Sequence, residues 1–351
     1  MNLEDIKREI HKLDKDDQEE IVRFIKESKL ENNYTALLIK AIETKYSDEM
    51  SCPYCKSNSI KKDGHYKNGL QRYKCKDCNH TFSPYVNTIL ENTKLHPIVW
   101  LKYLIIMSED EDLRDCAKYA GVSLKGSFYM RHKIMNAMDH EMENKELDGI
   151  VELDEMSVNI SYSGNHQKQN EVEMPRRSYS RGRKGHAFSN DSKITDSIII
   201  ATAVDRQRNI FMKVAKIGTT TLDGETIKNI YMPHLKKATT LCTDGLMGYR
   251  LLAKELNIEH KAFATKSKEK RGIYHINNVN YIHSKVNEYF RKHNGISSKY
   301  LNEYLALISY RLENKLRAVE DYFIDLYTYM CTFRRKNYIG TGFVTDSIAL
   351  G

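Results

Sequence analysis

Two Cys-x-x-Cys pairs, Cys52 with Cys55 and Cys75 with Cys78, constrain the fold of this chain more than any other feature. Nineteen residues separate the pairs. The stretch between them alternates in part and contains the turn sequence Lys-Asn-Gly, which suits a β-hairpin. Zinc prefers four ligands in a tetrahedron, and each Cys-x-x-Cys turn presents two sulfurs to one ion. The spacing therefore predicts a zinc ribbon over residues 49–86, with a structural Zn²⁺ on these four cysteines; a redox dithiol is the alternative.

The composition limits the classes of protein to which the chain can belong. At 351 residues, 40% of them hydrophobic, it is long enough for two or three domains with a real core. No run approaches the roughly 18 apolar residues of a membrane span, and the charged start, MNLEDIKREI, lacks the apolar segment of a secretory signal. We therefore expect no membrane association and a reducing compartment, where such cysteine pairs bind metal. The net charge of +8 favours an anionic partner.

Helical regions flank the ribbon on both sides. Residues 1–48 carry apolar side chains at helical spacing, with charges between them. Residues 95–143 have the layout of a helix-turn-helix, in which Gly121 makes the turn and Ser123 caps the second helix. Basic side chains on that second helix suit contacts in a DNA major groove. These residues are Lys125, Arg131 and Lys133. The alternative is a helical hairpin that only supports the next domain.

From residue 148 the sequence changes to β-rich runs, with helical stretches between the later ones. This order predicts an α/β domain with a mixed sheet over residues 148–316, and a C-terminal helical tail over 317–351. The polar stretch 160–193 is expected to be an inserted loop. Its segment PRRSYSRGRKGH holds five basic residues and no acid, so we expect it to lie along DNA backbone, with a solvated loop as the alternative. The basic residues predicted to contact DNA there are Arg181, Arg183 and Lys184.

Two aspartates are placed unusually in the β-rich region. Asp154 lies on the apolar strand VELDE, and Asp244 ends the strand TTLCTDG. An acid at a strand terminus before glycine suits a cleft better than a core, and paired carboxylates can hold Mg²⁺ or Mn²⁺. Each aspartate could instead cap a strand or pair with a lysine. Strand alternation places Glu152 on the face of Asp154, and Glu155 on the opposite face.

From Cys52 to about Leu307 the chain resembles the zinc-ribbon group of bacterial insertion-sequence transposases. The resemblance is carried by the ribbon ending C-x-x-C-x-x-T-F, by ELDE, by the Arg-Gly-Arg-Lys loop, and by TDGLMGY with His260 following. It is also carried by H-x-N-x-V-N-x-x-H-S and by GISSKYLNEYL, and all these motifs occur in the family's order. The family has an RNase H-like catalytic domain with a DDE-type triad, so the resemblance implies that fold here.

The resemblance also implies the metal ligands of the catalytic site. Asp154 and Asp244 match the first two acidic positions, and the third position maps to Asn280, where many relatives have glutamate and some have asparagine. The amide oxygen of asparagine is neutral, so one metal is expected to bind more weakly. A lysine that the family often carries seven residues later is replaced by Asn287.

Two further residues are candidates to supplement this site. His283 follows Asn280 by almost one helical turn, and Glu288 follows it by about two. Either residue could equally be ordinary helix surface.

The function that the resemblance implies is that of a cut-and-paste DNA transposase. Such an enzyme uses Mg²⁺ or Mn²⁺ to hydrolyse a phosphodiester at the element end, after which the released 3′-hydroxyl attacks target DNA. The implied partners are element ends, target DNA and further copies of the chain on DNA, in the bacterial cytoplasm at the nucleoid. The alternatives are a catalytically silent DNA-binding relative and a metal-dependent nuclease without strand transfer.

Overall fold

The computed structural model describes most of the chain in two compact units. One comprises Met1–Ala137 with Asn314–Val344, and the other comprises Met138–Glu313 with Thr345–Gly351. The described residues are 2–22, 24–25, 28, 50–109, 111–161, 197–217, 219, 221–263, 272–293, 296–315, 317 and 319–332. The predicted DNA contacts Arg181, Arg183 and Lys184 lie outside the described residues, as does most of the predicted loop. None of the described helices has both the length and the apolar composition that a membrane span requires.

The described part of the N-terminal region is helical, as its spacing predicts. Helix α1 covers Leu3–Ile10, and helix α2 is described over 15–22. A reciprocal capping box starts α1, in which the Asn2 side chain accepts from the Asp5 N–H and the Asp5 side chain accepts from the Asn2 N–H.

The cysteine module is a small antiparallel sheet. Strands β1 (Ile60–His65), β2 (Gln71–Cys75) and β3 (Thr81–Phe82) pair in that order. The predicted hairpin is β1–β2, and β3 adds a third strand through the pairing of Tyr73 with Phe82. These two rings stack on each other in the ribbon core, whose apolar content is otherwise small.

The remaining helices of the first unit include the predicted helix-turn-helix. They are α3 (Pro97–Ser108), α4 (Leu113–Ala120), α5 (Leu124–Glu143), which continues into the second unit, and α10 (Val319–Thr332). Helix α3 is apolar almost all round and forms the core of this unit. Gly121 ends α4 with a φ of 66°, and the Ser123 hydroxyl accepts from the Gly126 N–H at 3.1 Å to start α5.

The second unit contains a five-stranded mixed sheet. Its strands are β4 (Asp148–Asn159), β5 (Ser197–Asp205), β6 (Ile210–Ile217), β7 (Lys237–Thr243) and β8 (Glu259–Ala262). They lie in the order β6-β5-β4-β7-β8, with antiparallel pairs on the β6 side and parallel pairs on the β8 side. In order of appearance this is 3-2-1-4-5, which confirms the predicted RNase H-like mixed sheet.

Helices cover both faces of this sheet. They are α6 (Gly224–Tyr231), α7 (Met247–Leu256), α8 (Asn277–Lys292) and α9 (Leu301–Asn314). Glu155 on β4 accepts from Tyr249 of α7, whereas Glu152 accepts from the first turn of α8. Because odd and even positions of a strand point to opposite faces, α7 and α8 lie on opposite sides of the sheet. Strand β4 is therefore central in the sheet and covered on both faces.

Candidate active site and zinc centre

The four ribbon cysteines converge as a metal site requires. Their Sγ atoms all lie within 4.8 Å of one another, and the pairs Cys52–Cys78 and Cys55–Cys75 are each 3.6 Å apart. Thiolates about 2.3 Å from a tetrahedral zinc ion would be about 3.8 Å apart, so the donor set fits Zn²⁺. Backbone N–H groups, that of Cys78 first, lower the pKa of Cys75 to about 7, which favours a thiolate.

Both cysteine turns have the same backbone form. The residue after each second cysteine, Lys56 and Asn79, has a positive φ, 64° and 60° respectively. The Cys75 N–H donates to the His80 carbonyl at 3.0 Å, and the Cys52 N–H donates to the Ser57 carbonyl at 2.8 Å. Each turn thus folds its two sulfurs to one side of the chain.

The catalytic candidates Asp154 and Asp244 are brought together by strand pairing. β4 and β7 are parallel, and their last pair is Glu152 with Cys242. Continuing this register by two residues places Asp244, which directly follows β7, level with Asp154. Neighbouring strands lie about 4.8 Å apart, so both residues come to the same edge of the sheet, where the charge of Asp244 contributes to the raised pKa of Asp154.

The environment of Asp154 disfavours its negative charge. Its side chain is 18% exposed. Burial first, and then the charges of Glu155 and Asp244, raise the pKa of Asp154 to about 7. Burial also raises the pKa of Glu155, whose carboxylate accepts a 2.6 Å hydrogen bond from the Tyr249 hydroxyl. A divalent cation bound here would offset the repulsion between these carboxylates and would favour their ionised forms.

Helix α8 presents Asn280 and His283 on one stripe, because residues three apart on a helix are neighbours. Asn280 is exposed, and its side chain makes no hydrogen bond to the described part of the chain. His283 is only 13% exposed, and its Nδ1 lies 3.7 Å from Asp154 Oδ2. Sequence reasoning ranked His283 below Asn280, because the burial of a helix face against β4 is a tertiary feature.

His283 is a neutral imidazole in this setting. Burial lowers its pKa to about 4, so the 3.7 Å contact with Asp154 is not an ion pair at neutral pH. Its Nε2 is buried and has no hydrogen-bond partner within the described residues. A neutral imidazole retains a lone pair that can ligate a metal.

Glu288, the other supplementary candidate, is placed away from Asp154. It is exposed and accepts a 2.6 Å hydrogen bond from Lys285. Helical geometry puts it about 140° around α8 from His283. Among the described residues, the ribbon cysteines are the single group of three or more His, Cys, Asp or Glu ligands close enough to share an ion.

Sequence reasoning missed the role of Glu152. Its carboxylate is fully buried and accepts hydrogen bonds from the Asn278 and Val279 N–H groups at 2.8 and 3.0 Å. Two signals pointed to it: an acid inside an apolar strand, which needs partners, and a helix starting at Asn277 whose N-cap residue, Ile276, has no polar side chain.

The structure corrects one predicted DNA contact and limits another. Arg131 is 4% exposed and donates to the Glu111 carbonyl at 2.7 Å, so it does not face a groove. Lys133 donates to the Ile89 carbonyl at 2.7 Å, and burial lowers its pKa. Lys125 is exposed in the first turn of α5, so of these three residues it is the one placed for solvent or phosphate.

The sequence of the second unit matches a known family. The profile of the ISXO2-like transposase domain matches residues 146–313. An uncharacterized protein in the transposable element ISH50 of Halobacterium salinarum is 23% identical over 273 residues, which are 77% of this chain and 88% of the relative. The matches over residues 146–313 and along the relative support a DDE-type insertion-sequence transposase with a role in DNA transposition.

Solved transposase structures show only a weak overall likeness to this transposase. A pre-cleavage Mos1 transpososome is 12% identical with a TM-score of 0.20, over 67% of this chain and 79% of that chain. A Mos1 strand transfer complex is 13% identical with a TM-score of 0.24, over 66% and 76%. The fold of the transposase is therefore taken from its own strand order.

Removal of zinc is expected to unfold the ribbon. The four thiolates join both ends of a module with a small core, so metal binding supplies most of its folding free energy. We expect Cys75→Ser in the full chain to lose the bound zinc, measured by atomic absorption, together with hydrogen-exchange protection of β1 and β2. Cys331→Ser, at a buried cysteine outside the ribbon, is the matched control and should keep both. A protected ribbon in zinc-free Cys75→Ser protein would contradict the assignment.

Proposed function

We propose that this transposase cleaves DNA at insertion-sequence ends and joins it to target DNA, using Mg²⁺ or Mn²⁺ held by Asp154, Asp244 and Asn280. The observation that supports the proposal is the parallel register of β4 with β7, whose continuation by two residues brings Asp244 level with Asp154. Asp154 is also largely buried beside other carboxyls, which raises its pKa to about 7.

The donor atoms suit a hard cation. Two carboxylates and an amide oxygen are ligands that Mg²⁺ and Mn²⁺ prefer, and His283 adds a neutral nitrogen beside Asp154. A bound ion would lower the barrier to phosphoryl transfer by stabilising charge on the attacking and leaving oxygens. The role of the protein is to hold these donor atoms at fixed positions. Tyr249 contributes by bonding Glu155 on the opposite face of β4.

DNA is proposed to run past exposed basic residues in each unit. Lys61, Lys62 and Lys125 are exposed and suit phosphate contacts, and we keep Arg181, Arg183 and Lys184 as proposed contacts in the inserted segment. We further propose that several copies of the chain assemble on DNA, and that the protein works in the cytoplasm at the nucleoid.

Two other functions remain candidates because of Asn280. A neutral side chain at the third position favours either a catalytically silent DNA-binding protein or a nuclease that cuts without joining. Cleavage of a plasmid that carries the gene with its flanking DNA, in Mg²⁺ and in Mn²⁺, separates the first from a transposase. Joining of a pre-cut 3′-hydroxyl end to a second plasmid distinguishes a transposase from a nuclease that cuts without joining. No cleavage in either metal would overturn the proposed function.

Asp154→Asn and Asp244→Asn are each expected to lower the cleavage rate by about 100-fold or more, because the ion contributes several kcal/mol to lowering the barrier. Binding to the same DNA, measured by gel shift, should change little, since it depends on phosphate contacts elsewhere. Asp148→Asn is the matched control, because Asp148 is an exposed aspartate at the start of the same strand. Normal cleavage by Asp154→Asn or Asp244→Asn would exclude that residue from the site.

The third position is tested with variants of α8. We expect Asn280→Ala to weaken cleavage and Asn280→Glu to tighten Mn²⁺ binding, because a charged oxygen replaces a neutral one. Glu288→Ala should leave cleavage unchanged, since Glu288 is bonded to Lys285 on another side of the helix. Loss of cleavage in Glu288→Ala with full activity in Asn280→Ala would reverse the two assignments.

Metal binding is expected to depend on pH through Asp154. Protons compete with the metal for this carboxylate below its pKa of about 7, so Mn²⁺ binding should tighten as the pH rises. The expected gain approaches tenfold per pH unit well below pH 7 and levels off above it, in roughly the manner of a single titration. Mn²⁺ titrations followed by electron paramagnetic resonance between pH 5.5 and 8.5 measure this, on protein that has been shown to retain its zinc. An affinity that does not change over this range would contradict the role of Asp154.

A further inference from the structure

We propose that Glu152 is a positioning residue of the metal site. Its buried carboxylate holds the first turn of α8, and thereby sets where Asn280 and His283 stand relative to Asp154. The inference rests on the proposed function, because it concerns the same metal site.

Glu152 is a fully buried acid in the centre of the sheet. It lies on β4 between Val204 of β5 and Cys242 of β7, and its side chain is 0% exposed. A carboxylate at such a place destabilises the fold unless its charge and both oxygens are compensated. The hydrogen-bond partners of Glu152 therefore indicate its role.

Within the described residues, the polar partners of Glu152 lie at the start of α8 or, in the case of Arg206, bond to the segment that leads into it. Oε2 accepts from the Asn278 and Val279 N–H groups at 2.8 and 3.0 Å. Oε1 accepts from the Arg206 guanidinium and lies 3.1 Å from His275 Nδ1.

Arg206 extends the same connection. Its second nitrogen, Nη2, donates to the Ile273 carbonyl at 2.9 Å. The Glu152 carboxylate and the Arg206 guanidinium thus both hold the segment 273–279 by hydrogen bonds. This segment leads directly into the helix that carries Asn280.

Among the described residues, the local cap of α8 reaches only its first N–H group, that of Asn277, which donates to His275 Nδ1 at 3.3 Å. The N-cap residue of the helix is Ile276, which offers no side-chain hydrogen bond. The first N–H groups of a helix need acceptors from outside it, and a carboxylate there also interacts favourably with the helix dipole. Glu152 supplies that acceptor from a different element, so it couples the helix to the strand.

Few residues separate this hydrogen-bonded contact from the proposed metal ligands, both along β4 and along α8. Asp154 is two residues from Glu152 on β4, and Asn280 is one residue beyond the capped N–H of Val279. A helix rises about 1.5 Å per residue, so His283 is about 6 Å beyond that N–H. A shift of the helix end would therefore move Asn280 and His283 together, while Asp154 stays on the strand.

The test compares two buried glutamates of the same unit. Glu152→Gln keeps the shape, but it removes the charge and presents an N–H₂ group to partners that are donors. In the zinc-loaded full chain, we expect Glu152→Gln to bind Mn²⁺ alone about 10–100-fold more weakly, as is typical when a residue that orients metal ligands is changed. Deuterium uptake should rise in the peptide 273–283 and remain low in β5 and β7.

Glu313→Gln is the matched control. Glu313 is also largely buried, pairs with Lys145 and accepts from the Ile210 N–H, and neither of these two partners lies on β4 or α8. We expect it to lower thermal stability and to leave the Mn²⁺ affinity unchanged. Equal Mn²⁺ loss in both variants, with uptake rising throughout the unit, would reduce Glu152 to a general stabilising role and overturn the inference.

Asp154→Asn separates this inference from the proposed function. If Asp154→Asn binds Mn²⁺ like the wild type, the proposed function fails. If it loses Mn²⁺ while Glu152→Gln binds as tightly as Glu313→Gln, only the positioning role fails. Should Glu152→Gln not fold, Glu152→Asp takes its place, because it keeps the charge but withdraws the oxygens from α8. Wild-type Mn²⁺ affinity in Glu152→Asp would overturn the positioning role, and weakened affinity would support it.

Discussion

The parallel pairing of β4 with β7 is the constraint on which the candidate active site depends. Continued past the end of β7, its register brings Asp244 level with Asp154, although the two residues are ninety positions apart in sequence. Gly245 then lets the chain turn away directly after Asp244, with a φ of 95°. A Cβ on that glycine would lie 3.2 Å from the Cβ of Ala262 on β8, so a side chain there would also crowd the next strand. Strand β7 thus ends directly before Asp244, one of the proposed metal ligands.

Two acidic residues on the same face of β4, Glu152 and Asp154, lie in opposite electrostatic environments. Glu152 is fully buried, and a guanidinium and two backbone N–H groups compensate it. Asp154 is partly exposed and lies among other carboxyls, and its pKa is raised to about 7. An aspartate with a raised pKa stabilises the protonated fold, so its ionisation destabilises the metal-free domain progressively between about pH 4 and pH 7, and fully above that. A divalent cation removes that penalty, which couples metal binding to stability at neutral pH.

Features with a local pattern could be predicted from the sequence, and features that depend on tertiary packing could not. The ribbon ligands have a fixed spacing, and the apolar runs of β4 and β5 are long enough to identify as strands. The helix that carries Asn280 and His283, α8, could also be expected, because its apolar positions repeat at helical spacing. Arg131 was placed on a DNA-facing surface because charge on a helix usually means exposure, but here its guanidinium is buried against the Glu111 carbonyl. The cap that Glu152 provides joins residues more than a hundred positions apart, so no local pattern could have shown it.

The charge of the site bears on what Asn280 does in it. Asp154 and Asp244 together carry two negative charges when ionised, which balance one divalent cation, while Asn280 and the neutral His283 add none. A second ion beside the first would need negative charge that these four residues do not supply. The phosphate of a bound DNA end carries such charge, and relatives with glutamate at the third position supply part of it themselves. In the proposed site, an asparagine at this position leaves the two carboxylates for a first ion, and we expect it to make a second ion more dependent on the substrate. Metal occupancy is then expected to follow DNA binding, and an ion held in advance of the DNA is expected to be the one next to Asp154 and Asp244.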